Sequence, residues 1–144
     1  MAQAGEEESP TAMSYTIHED EHGKLFLVTF ARVLTDEILL ESLERTAHFV
    51  EAVGIRSSVA DFSAVTRFDV TAEMVARIAA REPIVPDPFL RIVVAPRDDV
   101  YGMSRMFQLR SGESSNRVTL VRTLAEAWQL LGIKEPHLVP ITQK

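Results

Sequence analysis

Four times along the 144-residue chain a short apolar run is followed, after a few residues, by a helix-capping signal. Residues 24–30 lead to Thr35, 58–61 to Thr71, 89–95 to Asp98 or Asp99, and 118–121 to Thr123. A strand followed by a capped helix, repeated in this way, is the order of a βαβ chain, in which crossover helices join parallel strands of one sheet. The run 89–95 is apolar almost throughout, as strands buried on both faces are. Ahead of the first unit, residues 15–17 alternate and 19–23 form a polar turn ending in Gly23, so the first two strands should pair antiparallel. The expectation is α/β: a mixed, mostly parallel sheet of about five strands with about four helices, in the order ββαβαβαβα.

The helices carry their own punctuation. After Thr35, Asp36 and Glu37 occupy a first turn where the dipole favours acids; Leu39, Leu43, Ala47, Val50 and Val53 follow at helical spacing, and Gly54 closes the helix. Thr71 opens a second helix with Met74, Val75, Ile78 and Ala79 on one face, stopped by Pro83. Val100, Met103, Met106 and Phe107 mark a third. Thr123 and Glu126 form a capping box ahead of Ala127, Trp128, Leu130 and Leu131, with Gly132 at the C-terminal cap. Three regions result: an acidic tail over 1–13, read as disordered, a folded domain over 14–133, and a loosely held tail over 134–144, in which Leu138, Val139 and Ile141 are the candidates to pack.

Composition narrows the function classes. At 46% apolar and 25% charged the chain is an ordinary globular domain, and no apolar run approaches the roughly eighteen residues of a membrane helix. Glu6, Glu7 and Glu8 near the start are the opposite of a secretory n-region. With no cysteine, disulfides and thiolate metal sites are excluded, which fits a cytoplasmic setting. A net charge of −6 opposes general nucleic-acid binding, which rests on cations neutralising phosphates. One local exception is the set Arg105, Arg110, Arg117 and Arg122 against the single acid Glu113, either a candidate anion patch or a solvated helix face.

Catalytic templates are poorly served. His18-Glu19-Asp20-Glu21-His22 satisfies the H-E-x-x-H pattern, but that chemistry needs a helix to bring the two histidines onto one face, and here a strand precedes and Gly23 follows. No G-x-S-x-G, P-loop or dinucleotide glycine motif occurs, and no cofactor or metal is implied. The richest polar stretch is 61–74, read as a loop from the third strand to the second helix. Asp61, Ser63, Thr66, Asp69 and Thr71 bring two carboxylates and three hydroxyls to the carboxyl edge of the sheet, where open α/β domains bind their ligands. Phe68 and Val70 are its candidate apolar anchors for a partner.

The segment Asp61-Phe62-Ser63-x-Val65-Thr66-x-Phe68-Asp69-Val70-Thr71-Ala72, set in this order of elements, resembles the STAS domains of bacterial anti-sigma-factor antagonists. Residues 33–37, 95–107 and 122–128 make the chain more similar still to small stand-alone bacterial STAS-like proteins of unassigned function. The resemblance spans about 14–132. It implies a non-catalytic regulator with a protein partner, a kinase or regulator, docking at 61–74 and the following helix, and it is compatible with a homodimer. It also places Asp69 at the antagonists' acidic position, Thr71 at their phosphoacceptor and Ala72 at their glycine, with Val70 in place of the first serine. The alternatives are a small-molecule or lipid-binding module, with a pocket between helices and sheet lined by Met74, Met103, Met106 and Phe107, and an enzyme of unknown chemistry.

Overall fold

The computed structural model describes residues 14–23, 25–81, 83–86, 88–111 and 118–141. The elements are β1 (Tyr15–Asp20), β2 (Leu25–Thr35), α1 (Asp36–Val53), β3 (Ser57–Asp69), α2 (Ala72–Ala79), β4 (Arg91–Val94), α3 (Asp98–Ser111), β5 (Thr119–Val121), α4 (Leu124–Leu131) and β6 (Leu138–Pro140). They build an α/β domain around one mixed sheet of order β5-β4-β3-β2-β1-β6. β2 to β5 run parallel, and β1 pairs antiparallel with both β2 and β6. The caps act as their residue types dictate. The hydroxyls of Thr35, Thr71 and Thr123 accept from the backbone N–H groups of Ile38, Met74 and Glu126. Thr123 and Glu126 complete a capping box, and Gly132 takes the left-handed conformation at φ 71°.

Strand alternation sorts the core onto two faces. Val28, Phe30, Leu34, Phe62 and Val65 point to the side carrying α1, α2 and α3, where they meet Ile38, Met74, Val75 and Val100. Leu25, Leu27, Val59, Ile92 and Val94 point to the opposite side and pack against Ala127 of α4. On α1 the fully buried row is Ile38, Ser42, Thr46 and Val50, one step round from the expected Leu39, Leu43 and Ala47, and Val53 is exposed. The hydroxyls in that row are satisfied within the helix, Ser42 donating to the Leu39 carbonyl at 2.7 Å and Thr46 to the Ser42 carbonyl at 2.7 Å.

Two expectations need correction. The stretch 134–144 is not all loose tail: Leu138 to Pro140 add a sixth strand, with Glu19 opposite Val139 and a 2.9 Å bond from Ile141 N–H to the Ile17 carbonyl. The tail assigned to 1–13 lies outside the described residues. The second correction is larger. β3 does not end at Asp61 but runs on through Asp69, paired with β2 as far as Thr35 opposite Asp69. β4 accompanies it only from Ser58 to Asp61. Beyond that level β2 and β3 form a two-stranded parallel ribbon.

Candidate functional site

The ribbon decides what becomes of the polar stretch 61–74. Thr29 pairs with Asp61 and Ala31 with Ala64, so β3 holds one extra residue there; Arg32 pairs with Val65 and Val33 with Arg67, so it holds a second. These two bulges place Phe62, Val65 and Phe68, three apart in sequence, on the same packed side. Arg32, opposite the bulged stretch, has φ 65°, a conformation non-glycine residues seldom adopt. Asp61 serves the first bulge: it is buried, and its Oδ1 accepts from Ser63 N–H at 3.0 Å and from Ser63 Oγ at 2.6 Å. Seven residues of strand lie between it and Asp69, and the β2 stretch paired with them, Thr29 to Thr35, spans roughly 20 Å, so the two form no carboxylate pair. Asp69 instead lies 3.1 Å from Arg67 at the far end of the ribbon.

The expected docking anchors point inward. Val70 is buried and Phe68 half-buried, both against the core under α1, α2 and α3. Ser63, Thr66, Asp69 and Thr71 are exposed, but only Thr66, Asp69 and Thr71 lie toward the ribbon's end. Thr71 is engaged on three sides. It caps α2, its N–H donates to Asp36 Oδ1 at 2.8 Å, and its hydroxyl donates to Asp36 Oδ2 at 2.8 Å. One carboxylate thus joins the starts of α1 and α2, and a phosphoryl group on Thr71 would have to displace an acid already bonded to that oxygen.

The arginine set does not converge. Arg122 lies over the Tyr101 ring at 3.8 Å and donates to Pro96 O at 3.0 Å and Asp98 Oδ1 at 3.1 Å, at the start of α3. Arg105 donates to Gln108 on the exposed side of the same helix at 2.7 Å, Arg110 sits in its last turn, and Arg117 lies outside the described residues. His18 is in β1 and His22 in the turn after it, so the H-E-x-x-H residues share no helix face. Among the described residues no three His, Cys, Asp or Glu side chains gather as metal ligands would.

A different site emerges between the three helices and the sheet. An apolar cleft of about 140 Å³ is bounded by the ribbon (Leu34, Phe62, Phe68, Val70), by α2 (Val75, Ile78) and by α3 (Val100, Met103, Phe107). Leu39 and Leu43 of α1 and Ala60 and Val93 of the sheet join it to a second lobe of about 100 Å³. Of the methionines expected in such a pocket, Met103 lines it, whereas Met74 and Met106 belong to the packing around it. Where the lobes meet stands Arg91, first residue of β4, its guanidinium 5.8 Å from the centre of the Phe107 ring. Burial lowers its pKa to about 10, so it remains a cation at neutral pH. The sequence signal was available: Arg91 is the one charge within the apolar run 89–95, and alternation from the buried Ile92 and Val94 turns it to the opposite side.

Comparison with family models, with curated proteins and with solved structures finds no match to this chain. The chemistry of the cleft therefore rests on its lining. Leu39, Leu43, Phe68, Ile78, Met103 and Phe107 are each half-buried, so apolar surface remains to be covered, with one cation at its inner junction.

Proposed function

We propose that the protein is a non-catalytic STAS-like regulatory module whose cleft between α1, α2, α3 and the sheet binds a small, largely apolar molecule. The observation that carries this reading is the inward turn of Phe68 and Val70. Side chains expected to anchor a partner instead form the cleft wall beside Met103 and Phe107. Covering half-buried apolar surface contributes roughly 25 cal/mol per Å², so an occupant gains affinity wherever the lining is incompletely packed. The test is saturable stabilisation by 1-octanol in thermal unfolding, compared with Ala60→Leu, which adds a branched side chain to the floor of both lobes. A rise in Tm for the wild type that Ala60→Leu abolishes supports the reading; equal shifts in both proteins contradict it.

A second reading is favoured by the exposed ribbon end. Thr66, Arg67, Asp69 and Thr71 together offer a polar docking surface for a protein partner, the role drawn from the STAS resemblance. A photocrosslinking residue at position 67 should then give one discrete adduct in cells that the same residue at Leu130, on α4, does not. Identical adduct patterns would remove this reading.

A further inference from the structure

The buried row of α1 runs Ile38, Ser42, Thr46, Val50, so two hydroxyls stand where the sheet would otherwise meet aliphatic side chains. Ser42 is 2% exposed and Thr46 8%. Each gives its single hydroxyl proton to a carbonyl within the helix, Ser42 to Leu39 and Thr46 to Ser42. Such a back-bond slightly weakens a helix, and it leaves the hydroxyl oxygen with acceptor lone pairs only. Alanine and valine would pack the same row without that cost. Both residues line the lobe of about 100 Å³, as does Ser58 of β3, whose hydroxyl can turn to donate or to accept. Arg91, at the junction, is already engaged within the protein, over the Phe107 ring and by a further interaction. In the larger lobe Ser104 gives its proton to the Val100 carbonyl at 2.9 Å, and apart from Ser104 and Arg91 the lining is apolar. Among the described residues, no Asp, Glu, Lys, His or Tyr lines either lobe.

Building on the reading of the cleft as a ligand site, we infer that its ligand is a neutral, medium-chain aliphatic alcohol. Its hydroxyl lies against Ser42 and Thr46 in the smaller lobe, and its chain fills the lobe between α2, α3 and the ribbon. A hydroxyl is the head group that uses what the smaller lobe offers: it donates to the lone pairs on α1 and accepts from Ser58. A carboxylate, ether or ketone brings lone pairs against lone pairs. An ammonium head would be taken out of water with no carboxylate to receive it. Volume sets the length. A dry apolar cavity of about 150 Å³ holds a six-carbon ring, so the larger lobe takes about six carbons and the smaller one the hydroxyl with about two to four more. A diacyl lipid and a peptide helix are both too large.

Calorimetric titration of the full chain with 1-octanol, methyl heptyl ether, octanoate and octylammonium tests this, with the double variant Ser42→Ala, Thr46→Val in parallel. The ether matches 1-octanol in size and lacks its donor proton. In the wild type 1-octanol should bind about two- to tenfold more tightly than the ether, the usual gain from a neutral hydrogen bond. The double variant should bind the two alike, with its affinity for the ether unchanged, which also shows that it keeps its cleft. From 1-hexanol to 1-octanol each methylene should strengthen binding about three- to fourfold, with no further gain beyond 1-decanol. Equal affinity for 1-octanol and the ether in the wild type overturns the hydroxyl assignment while leaving the cleft reading intact. A preference for 1-octanol that survives in the double variant overturns the placement on α1. Tighter binding of octanoate or octylammonium than of 1-octanol overturns the neutral head, and affinity still rising at 1-dodecanol overturns the length. Failure of every probe overturns both readings.

Discussion

The two faces of the sheet are built from the same strands and come out differently. On the α4 side, one eight-residue helix meets Leu25, Leu27, Val59, Ile92 and Val94, all at 6% exposure or less, and the contact closes. On the other side three helices meet larger residues and leave a cleft of about 140 Å³ with an arginine inside it. The difference follows from the ribbon. β2 and β3 extend past the end of β4, so α2 and α3 pack against Phe62, Val65 and Phe68 on a two-stranded projection, and α1 cannot close the gap left over β4. A close-packed face is what stability alone would select; the cleft face instead leaves half-buried apolar side chains incompletely covered.

Mutations can break or sharpen that contrast. The largest effect belongs to the solid face: Leu25→Ala should cost about 3–5 kcal/mol in urea unfolding, whereas Leu43→Ala in the half-covered cleft should cost about 1–2 kcal/mol. Equal losses would mean that the two faces are packed alike. Thr71→Ala removes a cap and the bridge to Asp36, and should cost about 1–2 kcal/mol with the cleft left intact.

The smallest effect is at Tyr15, beside the cleft-side core. Burial raises its pKa, the nearby Arg45 guanidinium opposing the shift. A raised folded-state pKa gives stability that is full below pH 10 and is lost as pH rises through the folded value. Tyr15→Phe should therefore flatten the alkaline limb of the stability profile.

Much of the fold was legible because local chemistry and tertiary context agreed. Thr35, Thr71, Thr123 and Gly132 cap helices where their residue types say they should, and Arg91–Val94, within the apolar run 89–95, form a parallel strand flanked on both sides. The site was less legible, for a definite reason. Phe62, Val65 and Phe68 recur every third residue, which matches neither strand nor helix, and Asp61, Ser63, Thr66 and Asp69 among them have the composition of a loop. Two bulges, which only the register with β2 reveals, turn that pattern into one packed side of a strand. Once the loop becomes a ribbon, its apolar residues turn inward and its acids separate. The edge strand β6 was hidden similarly: three residues with a proline give little β signal until β1 offers them a partner.

Methyl-resolved NMR of isoleucine, leucine and valine side chains during titration with 1-octanol tests the contrast between the faces most directly. The account predicts saturable shifts at Leu39, Leu43, Ile78 and Val93, with Leu25, Leu27 and Val94 unmoved. Shifts spread equally over both groups, or none in either at saturating alcohol, would contradict it.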